Sequence, residues 1–207
     1  MCSSDLGYFE TFNQPNVTLV DVRVDPIVEI TPAGVKTRSQ AFDLDILVYA
    51  TGFDAMTGPL LRMDIRGRDG VPLAKAWAAG PETYLGLQVA GFPNLFIITG
   101  PGSPSVLVNM PVAIEQHVEW ITDCIAQLRA EGLSRIEAKP DAVARWGADV
   151  EAAANATLLP TVKHSWYLGA NVPGKPQVFM PYVGGMARYR QICADVAANG
   201  YAGFVRG

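Results

Sequence analysis

Two glycine-punctuated strings hold the residue types best suited to chemistry in this chain. The first, Gly100-Pro-Gly-Ser-Pro-Ser105, lies between the apolar run Leu95–Thr99 and a stretch of helical periodicity that begins near Met110. Strand, glycine loop and helix start is the context in which backbone amides cradle phosphate. Here Ser105 stands where a dinucleotide loop needs its third glycine, and Pro101 and Pro104 remove two amide donors, so a pyrophosphate cradle fits poorly. The loop is better suited to presenting the amino end of the following helix, with its free N–H groups and partial positive charge, to an electron-rich ring. Taken alone, the motif reads more simply as a plain strand-to-helix connection.

The second string is Ser165-Trp-Tyr-Leu-Gly-Ala-Asn-Val-Pro-Gly-Lys175. Trp166 and Tyr167 are costly to leave exposed in such a loop unless they cover a ligand or fill a cleft. Packing of both rings onto their own domain is an equally good reading. Lys175 could meet a phosphate, although a solvated lysine is the simpler reading. His164 reads as a surface residue and His117 as a helix-face residue.

Metal and thiol chemistry find little support. Cys2, Cys124 and Cys193 are odd in number and show neither a C-x-x-C pair nor a His–Cys ligand spacing. They read as reduced thiols of a cytoplasmic protein, and no metal site is expected. Sixteen Lys and Arg against 20 Asp and Glu give a net charge of −4, which argues against nucleic acid as a main partner. No apolar stretch reaches the roughly 18 residues that a membrane helix needs, and the amino terminus lacks a signal-peptide pattern. With 49% hydrophobic and 17% charged residues, the 207-residue chain belongs to the globular class.

The elements that must position these strings follow from periodicity and turn chemistry. Val17–Asp21 reads as a short strand, and Ile27–Ile30 with Gly34–Arg38 as a hairpin turning at Pro32–Gly34. Ile46-Leu-Val-Tyr49, inside Asp45–Thr51, is the continuous apolar run of a strand covered on both faces, and it ends in the small residues Ala50, Thr51 and Gly52. Residues 55–94 suggest loops, short strands and one short helix near Trp77. Leu95–Thr99 reads as a second buried strand. A long helix is expected over Met110–Ala130, with Val118, Ile121, Ile125 and Leu128 on its apolar face, and another over Asp141–Leu158, using Val143, Trp146, Val150 and Leu158. A strand at Val178–Met180 and a helix over Arg188–Ala198 complete the expectation.

Met1–Leu6 lacks periodicity and matches what one reading frame of a common sequencing-adapter end would encode, so it reads as a cloning or assembly scar. On that reading the protein began upstream.

Several motifs fall in one order: A-T-G-F-D at 50–54, W-A-A-G-P-x-T-Y-L-G at 77–86, G-F-P-N-L-F at 91–96, G-P-G-S-P-S at 100–105, E-Q-H-V-E-W at 115–120, S-W-Y-x-G-A-N-V-P-G-K at 165–175 and Y-V-G-G…Y-R-Q-I-C at 182–193. Together they resemble the carboxyl-terminal part of Baeyer–Villiger monooxygenases of the phenylacetone and cyclohexanone type, from Gly7 to Gly207. The resemblance implies an α/β fold that is an incomplete two-dinucleotide-binding-domain flavoprotein. Residues 7–53 would be the last strands of an NADP domain, and 54–207 the later half of an FAD domain. It implies conversion of a ketone to an ester or lactone with O2, FAD and NADPH, through a C4a-peroxyflavin.

By matching position, Met110 would lie at the flavin and substrate pocket, and Ser105, Val106 and Leu107 would shape that pocket as a bulge. Trp166 would close on NADP, and Thr51-Gly52 would lie beside the same cofactor. The family's catalytic arginine, both G-x-G-x-x-G fingerprints and the F-x-G-x-x-x-H-x-x-x-W string have no counterpart in this sequence. No catalytic residue is therefore expected in this chain, which alone should be inactive and hold FAD poorly. A related flavin N- or S-monooxygenase, and a non-catalytic stand-alone module, are the alternatives.

Overall fold

The computed structural model describes residues 7–207, with the Val106 side chain left aside; the expected scar at 1–6 lies outside the described residues. The chain forms two compact units, one ending at Gly52 and the other spanning Phe53–Gly207.

In the first unit a short helix α1 (Tyr8–Thr11) precedes strands β1 (Ile27–Thr31), β2 (Gly34–Thr37) and β3 (Ala41–Asp43), which form an antiparallel sheet in that order. The expected hairpin is present, with Thr31 Oγ1 accepting from the Gly34 amide at 3.1 Å to close the turn. Gly34 is required there, since a Cβ would lie 1.9 Å from the Phe42 carbonyl oxygen on β3. Asp25 ties the sheet's end together by accepting from the Ser39 and Thr37 hydroxyls, each at 2.6 Å. Those hydroxyls, Ser39 first, hold its carboxyl below the ordinary value.

Two expected strands are absent from this unit. Residues 17–21 and 45–51 carry no regular structure; Leu19 is 73% exposed and Ile46, Val48 and Tyr49 are 78%, 77% and 67% exposed. A strand exists only against a neighbour, and no described strand pairs with either segment.

The second unit contains the short helices α2 (Gly58–Arg62) and α3 (Leu73–Ala76), the long helix α4 (Met110–Ala130), strand β4 (Ile136–Ala138), α5 (Pro140–Asn155), α6 (Met186–Ala198) and β5 (Phe204–Arg206), which pairs antiparallel with β4. The long helix has the expected limits, but its buried face is turned. Ala113, His117, Trp120, Cys124 and Leu128 face the core, whereas Val118 and Ile125 are 44% and 37% exposed. The two stripes differ by one residue, about 100° around the axis, and the core chose the one bearing Trp120 and Cys124. Helix α5 buries Val143, Trp146 and Val150 as expected but ends at Asn155, leaving Leu158 82% exposed.

Leu95–Thr99 is not a strand: Phe96 forms an isolated bridge to Gln88, and Asn94 and Thr99 both take left-handed backbone angles that break extension. Val178–Met180 is also not a ladder strand, although its Val178 and Met180 amides donate to the Leu168 and Tyr167 carbonyls at 3.1 and 2.9 Å.

The main core joins Leu85, Leu87, Trp120, Trp146, Tyr182, Tyr189, Tyr201 and Phe204. Rings replace aliphatics over much of it, and edge or tilted contacts such as Trp146–Tyr182 (5.0 Å) and Trp120–Tyr201 (5.2 Å) recur. A smaller cluster gathers Leu73, Trp77, Val89, Phe92 and Ile97.

Candidate functional site

The Gly100–Ser105 loop is bolted to the body of the second unit by its carbonyls. Gly100 O accepts from Ser103 Oγ at 2.7 Å, Pro101 O from Thr83 Oγ1 at 2.6 Å, Gly102 O from Trp146 Nε1 at 3.0 Å and Ser103 O from the Tyr182 amide at 2.7 Å. At the loop's entrance the Thr99 amide donates to His117 Nδ1 at 2.8 Å, and midway the Gly102 amide donates to Met180 O at 2.6 Å. Gly86 lets the loop sit this deep, since a Cβ there would come within 2.5 Å of the Ser103 amide nitrogen. A phosphate cradle turns its amides outward. This loop spends its polar groups inward and serves as a rigid ledge.

The ledge delivers Ser105 to a short helical turn, Ser105–Leu107, just ahead of α4. Ser105 is buried in a left-handed conformation (φ 44°), and its hydroxyl donates to Met56 Sδ at 3.4 Å. Leu107 and Met110 are half-buried, and the side chain of Val106 lies outside the described residues. Met110 opens α4 after Asn109, whose side chain does not cap the helix, and Pro111 lacks an amide hydrogen. Thr57, next in the chain to Met56, is buried with its Oγ1 lacking a hydrogen-bond partner among the described residues. The uncapped start of α4 leaves amide N–H groups and partial positive charge that an electron-rich group could meet.

The second string adjoins the first. Gly102, Trp146, Leu168, Phe179 and Met180 line one cleft of about 650 Å³. Within the string, Ser165 Oγ accepts from the Tyr167 amide at 3.2 Å and begins a turn over Trp166–Leu168. Trp166 is half-buried and edge-on to Tyr167 at 4.5 Å, while Tyr167 leans on Phe179 at 6.2 Å. Tyr167 thus packs on its own unit. Thr51 and Gly52 are exposed and belong to the first unit.

Several residues have roles other than those read from sequence. Lys175 is neither solvated nor free for a phosphate: its ammonium pairs with Asp54, donates to Ala55 O at 3.3 Å, and is 10% exposed. Asn171 Nδ2 donates to Phe53 O at 3.2 Å, so the string is tethered to Phe53–Ala55 at two points. His117 is wholly buried, with Nε2 2.9 Å from the Tyr189 hydroxyl, and burial pushes its pKa down to about 4. Burial likewise pushes the Cys124 and Cys193 thiols up to about 11, so both are inert core groups; Cys2 lies outside the described residues. His117 could have been found in the sequence by treating His and Cys as core residues on α4. No short-range signal foretold the Lys175–Asp54 pair.

Among the described residues no His, Cys, Asp and Glu group could hold a metal, and no helix is long and apolar enough to cross a membrane.

No family model matches the chain. A Baeyer–Villiger monooxygenase of Pseudooceanicola batsensis is 42% identical over 97% of this chain and 36% of its own length. The phenazine N-monooxygenase PhzNO1 of Lysobacter antibioticus is 41% identical over 99% of this chain and 37% of its own length. A solved OTEMO complex with FAD and NADP superposes with a TM-score of 0.87 at 43% identity, covering 97% of this chain and 37% of that one. The chain therefore spans a little over a third of the length of the curated relatives it matches. By sequence and by fold, the chain is similar to a stretch of the Baeyer–Villiger monooxygenases that makes up a little over a third of their length.

Proposed function

We propose that this chain is the portion of an FAD- and NADPH-dependent monooxygenase that walls the flavin and substrate pocket, in an enzyme that inserts one oxygen atom of O2 beside a ketone carbonyl. The ledge at Gly100–Ser105 carries this reading. Its inward hydrogen bonds fix Gly100–Gly102, the stretch that leads into Ser105, Leu107 and the first turn of α4, which is the preorganisation that a pocket wall needs. Met110 and the uncapped start of α4 would face the ring system, and the helix dipole there would favour negative charge on it. The flavin, when bound, supplies the oxygen-activating chemistry. This chain's residues shape the pocket, exclude water and orient the ketone.

Residues 7–53 are read as the end of an NADP domain and 54–207 as the later half of an FAD domain, with Thr51, Gly52 and Trp166 at the nicotinamide cofactor. Bare apolar surface supports a larger parent body. Phe53 is 81% exposed, and Ile114, Val118 and Ile125 make an exposed stripe along α4. The parent protein is read as cytoplasmic.

The test is a chimera in which this chain replaces the matching stretch of a related ketone monooxygenase. NADPH-dependent ketone oxidation by the flavin-loaded chimera is the expected result. A chimera that binds FAD and is reduced by NADPH, yet oxygenates no ketone, would overturn the reading. Assay against aromatic N-heterocycles belongs in the same experiment, because a phenazine N-monooxygenase matches the chain almost as well as a Baeyer–Villiger enzyme does. Oxygenation of those alone would favour N-oxidation.

A further inference from the structure

His117 is a buried titratable side chain that accepts from Thr99 at the entrance of the ledge, and its hydrogen bonds admit a single proton arrangement. The Thr99 N–H points at Nδ1 from 2.8 Å, so Nδ1 carries no proton. The Tyr189 hydroxyl donates its only proton to the Leu85 carbonyl at 2.6 Å. Nε2, 2.9 Å from the same hydroxyl oxygen, must therefore be the donor on that side. The neutral Nε2–H tautomer satisfies every group, and any other form sets one N–H or O–H against another.

What this tautomer holds is strained. Thr99 is β-branched and sits at φ 54°, a left-handed conformation such residues avoid. It is also the point where the chain turns from Phe96–Ile98 into the ledge. His117 lies two turns into α4, the helix that the ledge itself runs into at Met110. Residues 99 to 110 are therefore a loop with both ends on one helix, joined covalently at Met110 and by hydrogen bond at His117.

We propose that His117 is a positioning residue: as a neutral Nε2–H imidazole braced by Tyr189, it locks the reversal at Thr99 and so sets where Ser105 and Leu107 stand relative to the amino end of α4. The functional weight of this rests on reading that loop as a pocket wall. The locking itself does not, and it is measurable without flavin or ketone.

Two conservative variants separate the two contacts. Asparagine can offer its side-chain oxygen where Nδ1 stands, whereas glutamine reaches toward Tyr189 and leaves Thr99 without an acceptor. Amide hydrogen exchange by NMR on the 207-residue chain would follow Thr99 and residues 100–108, with amides of the β4–β5 pair as the reference for global opening. In H117Q, Thr99 and the loop are expected to exchange at least tenfold faster while the reference is unchanged, and H117N should restore most of the protection. Equal exchange in H117Q and the parent, or acceleration only in step with the reference, would overturn the proposal. Nitrogen-15 spectra of the unmodified chain give a second decision that needs no variant. A neutral Nε2–H signature at pH 7 is expected, and an Nδ1–H or charged imidazole would overturn the proposal even if H117Q fails to fold.

Discussion

Lys175 and Asp54 stand 121 positions apart in the chain and form an ion pair that fastens the Ser165–Lys175 string to the start of the second unit. Both groups are largely withdrawn from water, so removing one strands the other. Lys175→Met is expected to lower stability by about 2 kcal/mol and to speed amide exchange across 165–176. Urea denaturation with a double-mutant cycle through Asp54→Asn checks it. A coupling energy near zero would make the pair incidental.

Trp146 binds the ledge through one proton. Trp146→Phe keeps a ring against Tyr182 and Tyr189 but removes the donor to Gly102 O. A loss of about 1 kcal/mol is expected, with faster exchange at residues 100–105 measured by NMR and little change in the β4–β5 pair.

Glu137 is a buried carboxylate with two jobs: it accepts from Arg68 Nη2 at 2.6 Å and from the Gly91 amide at 2.9 Å. Arg68 is half in solvent and can rehydrate, while the Gly91 N–H loses the acceptor that Glu137 supplies. Glu137→Ala should therefore cost about 2–3 kcal/mol, and Glu137→Gln clearly less, since an amide oxygen can still serve Gly91. Thermal unfolding of the two variants side by side decides this.

Acid should weaken the second unit through His117. Burial lowers its folded pKa from the ordinary 6.5 to about 4, while Tyr189, its titratable neighbour, is held protonated far above that range. The unfolded chain then binds more protons between those two values, so stability is full above pH 6.5 and falls as pH drops toward 4. The loss over that window is at most roughly 3 kcal/mol. Denaturation curves at several pH values, run with H117N alongside, should show the variant's profile to be flatter by that amount.

The isolated chain should bind FAD weakly and catalyse no NADPH-dependent ketone oxidation, because neither glycine fingerprint is in its sequence. Flavin fluorescence titration and an NADPH-consumption assay test both parts. Turnover by the purified 207-residue chain would refute the expectation.

The long helix at Met110–Ala130, the hairpin at Ile27–Thr37 and the helix over Pro140–Asn155 were legible in the sequence because their defining hydrogen bonds and turns are local. The resemblance was legible for a different reason: seven short motifs in a fixed order point to relatives whatever their packing. Tertiary structure decided the rest. Ile46–Tyr49 has the composition of a buried strand but lies bare, because a strand is defined by a neighbour and no described strand supplies one. Helix α4 offered two apolar stripes one residue apart, and only packing against α6, Tyr201 and Phe204 could choose between them. His117 and Lys175 read as ordinary polar residues until folding brought Thr99, Tyr189 and Asp54 to them. Contacts between residues tens of positions apart have no periodicity to betray them, so the inward-bound ledge and its histidine brace exist only in three dimensions.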